Sequence, residues 1–231
     1  GPVRSSDHER HRLCDDRAVH RVFLEEGLGP EVANSFLVLA AAGKRDVDRR
    51  VEAGALVWGF GGERRRTWIR HQVVEKRTAD GLRVRGFSGS GVELERTCGW
   101  LHQDPDKDQE YFLGPTCEQL ALEACHRMRF PELKQVLQRW RSYLADLETP
   151  RPEGLGAIHP FLAHGADRLL PPHFVDVSLS NFVAVGDRLE FIDQEWHAME
   201  GVEAPLVMTR SLWYFARDLV TSGAAHPWPD E

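Results

Sequence analysis

The sequence predicts an α+β fold in two lobes, and three observations predict it. Strand-like segments crowd residues 55–113, helical spacing takes over after Gly114, and a tight strand–turn–strand unit returns inside the helical part at 182–192. The expected organisation is a polar leader or tag remnant at 1–14, a first lobe at 15–113 with helices followed by a β-sheet, and a helical second lobe at 114–231. A chain of 231 residues suffices for one large domain or two small lobes sharing a core.

Taken in order, the leader opens Gly1-Pro2, which looks like a protease-cleavage scar. From Asp15 the spacing is helical, with Val19, Val22 and Phe23 on one face and Gly27 and Gly29 as stops. Pro30 opens a second helical pattern through Phe36 and Leu37, although Ser35–Leu39 also suits a strand. Ala55–Trp58 is an apolar strand segment, followed by Gly59-Phe60-Gly61-Gly62. Thr67–Val74 and Leu82–Arg85 flank Ala79-Asp80-Gly81, a hairpin signal. Residues 92–101 and 110–113 supply two further strand candidates.

Beyond Gly114 the period is that of a helix. Thr116 followed by Gln119 is a capping-box signature, and a helix through Leu120, Ala124 and Met128 follows. Pro131 starts the strongest helix, whose Leu133, Val136, Leu137, Trp140, Leu144 and Leu147 form one apolar stripe. Residues 149–172, rich in proline and glycine, read as a long connection, residues 173–195 as a hairpin-like stretch, and residues 205–220 return to helical spacing, with Leu206, Leu212, Trp213, Phe215, Ala216 and Leu219.

Composition narrows the function. The net charge of −7 disfavours non-specific binding to nucleic acid or to a membrane surface, since both require a basic face. No apolar run reaches the length of a membrane span, and no signal peptide is present. Cys14, Cys98, Cys117 and Cys125 form no C-x-x-C pair, so they read as reduced thiols of a cytoplasmic protein rather than zinc ligands.

The informative segment runs from His173 to Trp196. Asp176 and Asn181 stand five residues apart, flanking a tight loop. Phe182–Val185, Gly186-Asp187 and Arg188–Ile192 read as strand, turn and strand, and Asp193 ends the second strand. A hairpin of this length returns Asp193 to the side of Asn181, with Asp176 close by. Two oxygen ligands at such a mouth suit Mg²⁺, which takes a few hard oxygens plus phosphate and water. A carboxylate beside the metal can orient or deprotonate a hydroxyl.

On these residues the sequence resembles the protein-kinase-like superfamily, whose catalytic loop is D-x-x-x-x-N and whose metal-binding Asp follows a β-hairpin. Ile192-Asp193-Gln194-Glu195 looks like the small-molecule branch, the choline-kinase and aminoglycoside-phosphotransferase relatives. Asp193-Gln-Glu-Trp196 is most similar to kinase-like domains joined to sugar methyltransferases in bacterial polysaccharide synthesis. The resemblance implies a two-lobed protein-kinase-like fold with a reduced β-rich N-lobe and a helical C-lobe. It implies ATP and Mg²⁺ as cofactors, a small-molecule or glycan acceptor, and a methyltransferase domain as a partner. Asp176 becomes the catalytic base or hydroxyl-orienting residue, Asn181 and Asp193 hold Mg²⁺, and Glu195 assists a second metal or the acceptor.

The resemblance also implies a nucleotide site. Tyr111-Phe-Leu113-Gly114 is similar to the hinge strand that holds adenine, and Gly59–Gly62, with Gly61 at its centre, stands for the glycine-rich loop. Lys76 resembles the nucleotide-anchoring lysine, with Arg83 and Arg85 as rivals. Phe174 stands where the family has His, and no Lys–Glu pair is assignable. Two other readings therefore stand beside the kinase: a degenerate kinase-like binding or scaffold domain partnered with a methyltransferase, and a hydrolase using Asp193 and Glu195 on a metal.

Overall fold

Side-chain alternation builds the first sheet. This computed structural model describes residues 55–60, 68–76, 81–88 and 97–221, and helical patterns read over 15–42 lie outside them. Strands β1 (Ala55–Phe60), β2 (Arg70–Lys76), β3 (Leu82–Ser88) and β6 (Gln109–Glu110) form a four-stranded antiparallel sheet in the order β1-β2-β3-β6. Val73 and Glu75 are buried on one face of this sheet, and Arg70 and Val84 on the other. Glu75 opposes Arg83, whose Nε donates to its Oε1 at 2.7 Å, and Arg85 donates to the same oxygen at 3.3 Å. Burial raises the Glu75 carboxyl, but the two guanidinium groups outweigh it and hold its pKa below the ordinary range.

The boundaries differ from the sequence reading in three places. Of the segment expected at Thr67–Val74, Trp68 and Ile69 lie before the strand, which runs Arg70–Lys76. Gly59 and Phe60 continue β1, opposite Gln72 and His71, instead of opening a loop. The strand expected at 110–113 ends at Glu110, with one further backbone bond from Tyr111 N to Leu82 O of β3.

A second small sheet joins distant residues. Strands β4 (Thr97–Cys98) and β5 (Leu101–Gln103) pair with each other, and β5 pairs with β11 (Trp196–Ala198), giving the order β11-β5-β4. The 149–172 connection is closed by β7 (Thr149–Pro150) against β8 (Arg168–Leu169).

Three helices among the described residues supply the core. Helix α1 (Cys117–His126) starts at the expected capping box: Gln119 N donates to Thr116 Oγ1 at 3.2 Å and Thr116 N donates to Gln119 Oε1 at 2.8 Å. It buries Cys117 and Cys125; burial pushes the Cys117 thiol up to about 11, against the pull of Arg139. Helix α2 (Phe130–Leu147) buries Leu133, Trp140 and Leu144 from the expected stripe. Helix α3 (Ala204–Thr221) instead turns Ala204, Val207, Ser211, Phe215 and Leu219 inward. Leu212 and Trp213, apolar residues of that helical spacing, are exposed, since the buried positions recur at three and four residues from Ala204.

The hairpin forms as expected, with β9 (Phe182–Val185) against β10 (Arg188–Phe191) and a two-residue turn in which Gly186 has φ +56. Phe174, Phe191 and Phe182 stack in succession, with centroids 4.6 and 5.0 Å apart, and Trp140 meets Phe182 edge-on. That stack ties the segment before the hairpin to the hairpin and to α2.

The crossing from sheet to helices is pinned to the same hairpin. Ala184 N donates to Pro115 O at 2.9 Å, and Thr116 bridges Val183. A Cβ at Gly114 would run into the Ala184 carbonyl oxygen. Gly114→Ala should therefore destabilise the fold by about 1–3 kcal/mol, the usual cost of overpacking. A thermal unfolding midpoint unchanged from the parent would contradict this close approach.

Candidate functional site

The loop before the hairpin is built from two short 3₁₀ turns, Pro172–Asp176 and Leu179–Asn181. The hairpin-like stretch expected at 173–195 thus begins as turns, with Pro171 and Pro172 setting up the first. The five-residue spacing has a physical meaning here: Asn181 Nδ2 donates to the Asp176 carbonyl at 3.1 Å and closes the loop on itself. Leu179 N donates to Ser211 Oγ at 2.9 Å, which fastens the loop to α3.

Asp193 returns to this loop. Ile192 N donates to Asn181 O at 2.8 Å, one step beyond the Phe182–Phe191 pair, so Asn181 and Asp193 flank the hairpin mouth. Asp193 adopts φ +59, a left-handed conformation that Asp tolerates better than most residues. Its N–H donates to Gln109 Oε1 at 2.9 Å. Its carboxylate receives Arg70 Nη1 at 3.0 Å and Gln72 Nε2 at 3.4 Å, both on Oδ1.

Arg70 is the largest feature that sequence reasoning missed. Its side chain is only 2% exposed. Nε donates to Pro105 O at 2.9 Å and Nη2 donates to Lys107 O at 3.1 Å. Nε also lies 3.4 Å from Glu195 Oε2, which accepts from Gln103 Nε2 at 3.1 Å. Glu195 is itself buried, so its carboxylate is turned inward to this cation and amide. Gly86 is needed beside them, since a Cβ there would strike the Pro105 carbonyl and the Arg70 guanidinium. The available signal was a charged residue at an inward position of an otherwise half-buried strand.

Asp176 faces another cation. Arg210 Nη2 donates to Asp176 Oδ1 at 3.1 Å, and the two side chains are 26% and 42% exposed. On the opposite flank, Lys107 Nζ donates to Gln194 Oε1 at 3.2 Å. His173 packs on Phe174 and Phe191, and its ring centroid is 6.1 Å from that of His197. Burial, then Lys107 and His197, lower the His173 pKa to about 4, so this ring is neutral at physiological pH.

The remaining expected residues lie as follows. Lys76 is exposed at the end of β2, opposite Leu82. Arg83 and Arg85, its rivals, are engaged by Glu75. Tyr111 N donates to Leu82 O at 3.1 Å, continuing past β6, and its side chain is exposed, as is that of Leu113. Gly61 lies outside the described residues.

The donor set tests the fit of a hard cation. Asn181 and Asp193 flank the two strands of the hairpin; the described contacts of the Asp193 carboxylate fall on Oδ1, and Asn181 Oδ1 accepts from Ser180 Oγ at 3.4 Å. Such oxygens fit Mg²⁺, with remaining positions left to water and phosphate. Among the described residues, no group of three or more His, Cys, Asp or Glu is placed to hold a metal ion. No helix among them is long and apolar enough to cross a membrane. No family model, curated protein or solved structure matches the chain.

Proposed function

We propose that this chain is an ATP- and Mg²⁺-dependent phosphotransferase acting on a hydroxyl of a small molecule, sugar or glycan, in a protein-kinase-like fold with a reduced β-rich N-lobe. The observation that carries the reading is the closed Asp176–Asn181 loop beside Asp193. Asn181 and Asp193 would hold the metal, and the bound Mg²⁺–ATP supplies the transferable phosphoryl group together with charge neutralisation. Asp176 orients the acceptor hydroxyl and takes its proton. Arg70 and Gln72 hold Asp193 Oδ1, so that the carboxylate is fixed before ligand arrives. A donor of this kind belongs to the cytoplasm.

Calorimetric titration of Mg²⁺–ATP into the parent and Asp193→Asn proteins tests the reading. Asn is chosen because it tolerates the left-handed backbone at 193, where Ala would add strain of its own. Binding should require Mg²⁺ and weaken at least about tenfold, or about 1.4 kcal/mol, in Asp193→Asn. Full phosphoryl transfer by Asp193→Asn would remove Asp193 from the machinery.

A second reading is a binding or scaffold domain without turnover, partnered with a methyltransferase. The cation on Asp193 Oδ1 favours it, because Arg70 offsets charge that a metal would use. The exposed Lys76 favours it as well. Mg²⁺–ATP binding without release of ADP in the presence of any hydroxyl acceptor would select this second reading.

A further inference from the structure

Arg210 is engaged on one side only. Its Nη2 makes both described hydrogen bonds, to Asp176 Oδ1 at 3.1 Å and to Val177 O at 3.3 Å. Its Nε is buried and has no hydrogen-bond partner among the described residues. Its side chain is nevertheless 26% exposed, beside an Asp176 side chain that is 42% exposed. A buried donor without an acceptor is costly, and an oxyanion is the partner that best satisfies a guanidinium.

The surroundings of Arg210 are held in place. The guanidinium lies over Phe161, 5.2 Å from the ring centroid. Trp100 meets Phe161 edge-on at 5.8 Å and stacks on His159 at 5.1 Å. Glu203 N donates to Phe161 O at 2.8 Å, and the Glu203 carboxylate accepts from the N–H groups of His164, Gly165 and Ala166. Cation and aromatic wall are therefore positioned before any ligand arrives, which limits the ordering cost of binding.

We infer that this flank of Asp176 binds an oxyanion, and that the acceptor is a negatively charged molecule whose phosphate or carboxylate docks on Arg210 while its hydroxyl faces Asp176. Naming the ligand an acceptor rests on the phosphotransferase reading; the oxyanion site does not. A guanidinium has five donors in a fork, so it can bridge Asp176 and a second anion through different nitrogens. In a chain of net charge −7, an anion at this position needs a dedicated cation, and Arg210 supplies it.

The test is a titration of the full chain, without nucleotide, by inorganic phosphate, glucose 6-phosphate, glucuronate and glucose. The arginine Nε–Hε signals are followed by NMR, with Arg210 assigned by its loss in Arg210→Gln, and affinities are measured by calorimetry. The charged sugars should shift the Arg210 signal and bind at least about tenfold tighter than glucose. Arg210→Gln should bring them to the level of glucose, and Arg210→Lys should retain part of the difference. An Arg210 signal unmoved at saturating phosphate in the parent protein overturns the site regardless of how the variants fold. Equal affinity for charged and uncharged sugars also overturns it, and binding of inorganic phosphate alone overturns the acceptor assignment. Charged-sugar binding in a protein that fails to bind Mg²⁺–ATP would leave the oxyanion site standing and remove the phosphotransferase reading.

Discussion

Arg70→Met is expected to cost about 3–5 kcal/mol in urea unfolding, the range for removing one partner of a buried ion pair. Methionine fills much of the same volume but leaves Asp193 and the buried Glu195 without their shared cation. It also strands the Pro105 and Lys107 carbonyls that the guanidinium now satisfies. Adding Glu195→Gln should recover about 1 kcal/mol or more, because the second change removes the uncompensated charge. Arg70→Lys should fall between Met and the parent, since a lysine keeps the charge but loses the fork. A loss below about 1 kcal/mol for Arg70→Met would mean that this cluster contributes little to holding the sheet against the hairpin.

Glu203→Gln should be nearly as severe at neutral pH, about 2–3 kcal/mol, because a buried carboxylate accepts from three backbone N–H groups and from Arg151 Nη1 at 3.1 Å. Burial raises its pKa, but the Ala166, His164 and Gly165 amides and then Arg151 outweigh burial, and the native pKa lies below the ordinary value. A lowered native pKa stabilises the fold above the unfolded value of about 4.3, and that contribution is lost as pH falls through the native value. The gap between parent and variant should therefore be full at pH 7 and shrink under acid. Urea unfolding of both proteins from neutral to acid pH reads this directly, and a gap that stays constant with pH would show that the charge of Glu203 is not what holds the 163–166 turn.

The parts of the fold legible in the sequence were those set by local chemistry. The Thr116–Gln119 box, the α2 stripe and the hairpin around Gly186 each depend on residues within one turn or one strand pair. The face of α3 was less legible, because Trp213 and Leu212 are apolar yet exposed, and apolar residues alone do not mark its buried side. At the site, spacing indicated that Asp193 returns to Asn181, a consequence of strand geometry. It could not indicate Arg70, Gln103 or Gln109, since each reaches the hairpin over more than 80 residues of chain. Arg210 was hidden for the same reason: its partner Asp176 is 34 residues away and the helix that carries Arg210 reads as a plain amphipathic element.

The stitching of Gly114 and Pro115 onto β9, together with the pairing of β5 with β11, bears on how such a chain could be recombined. The composition changes at Gly114, yet cohesion does not divide there. The earlier half holds the Arg70 guanidinium, and the later half holds the two carboxylates it neutralises. Either half transplanted alone would carry a buried charge without its counterion and a strand edge without its neighbour. Exchange of segments at this junction would succeed only where the incoming half brought a matching opposite charge, so the two halves are bound to change together.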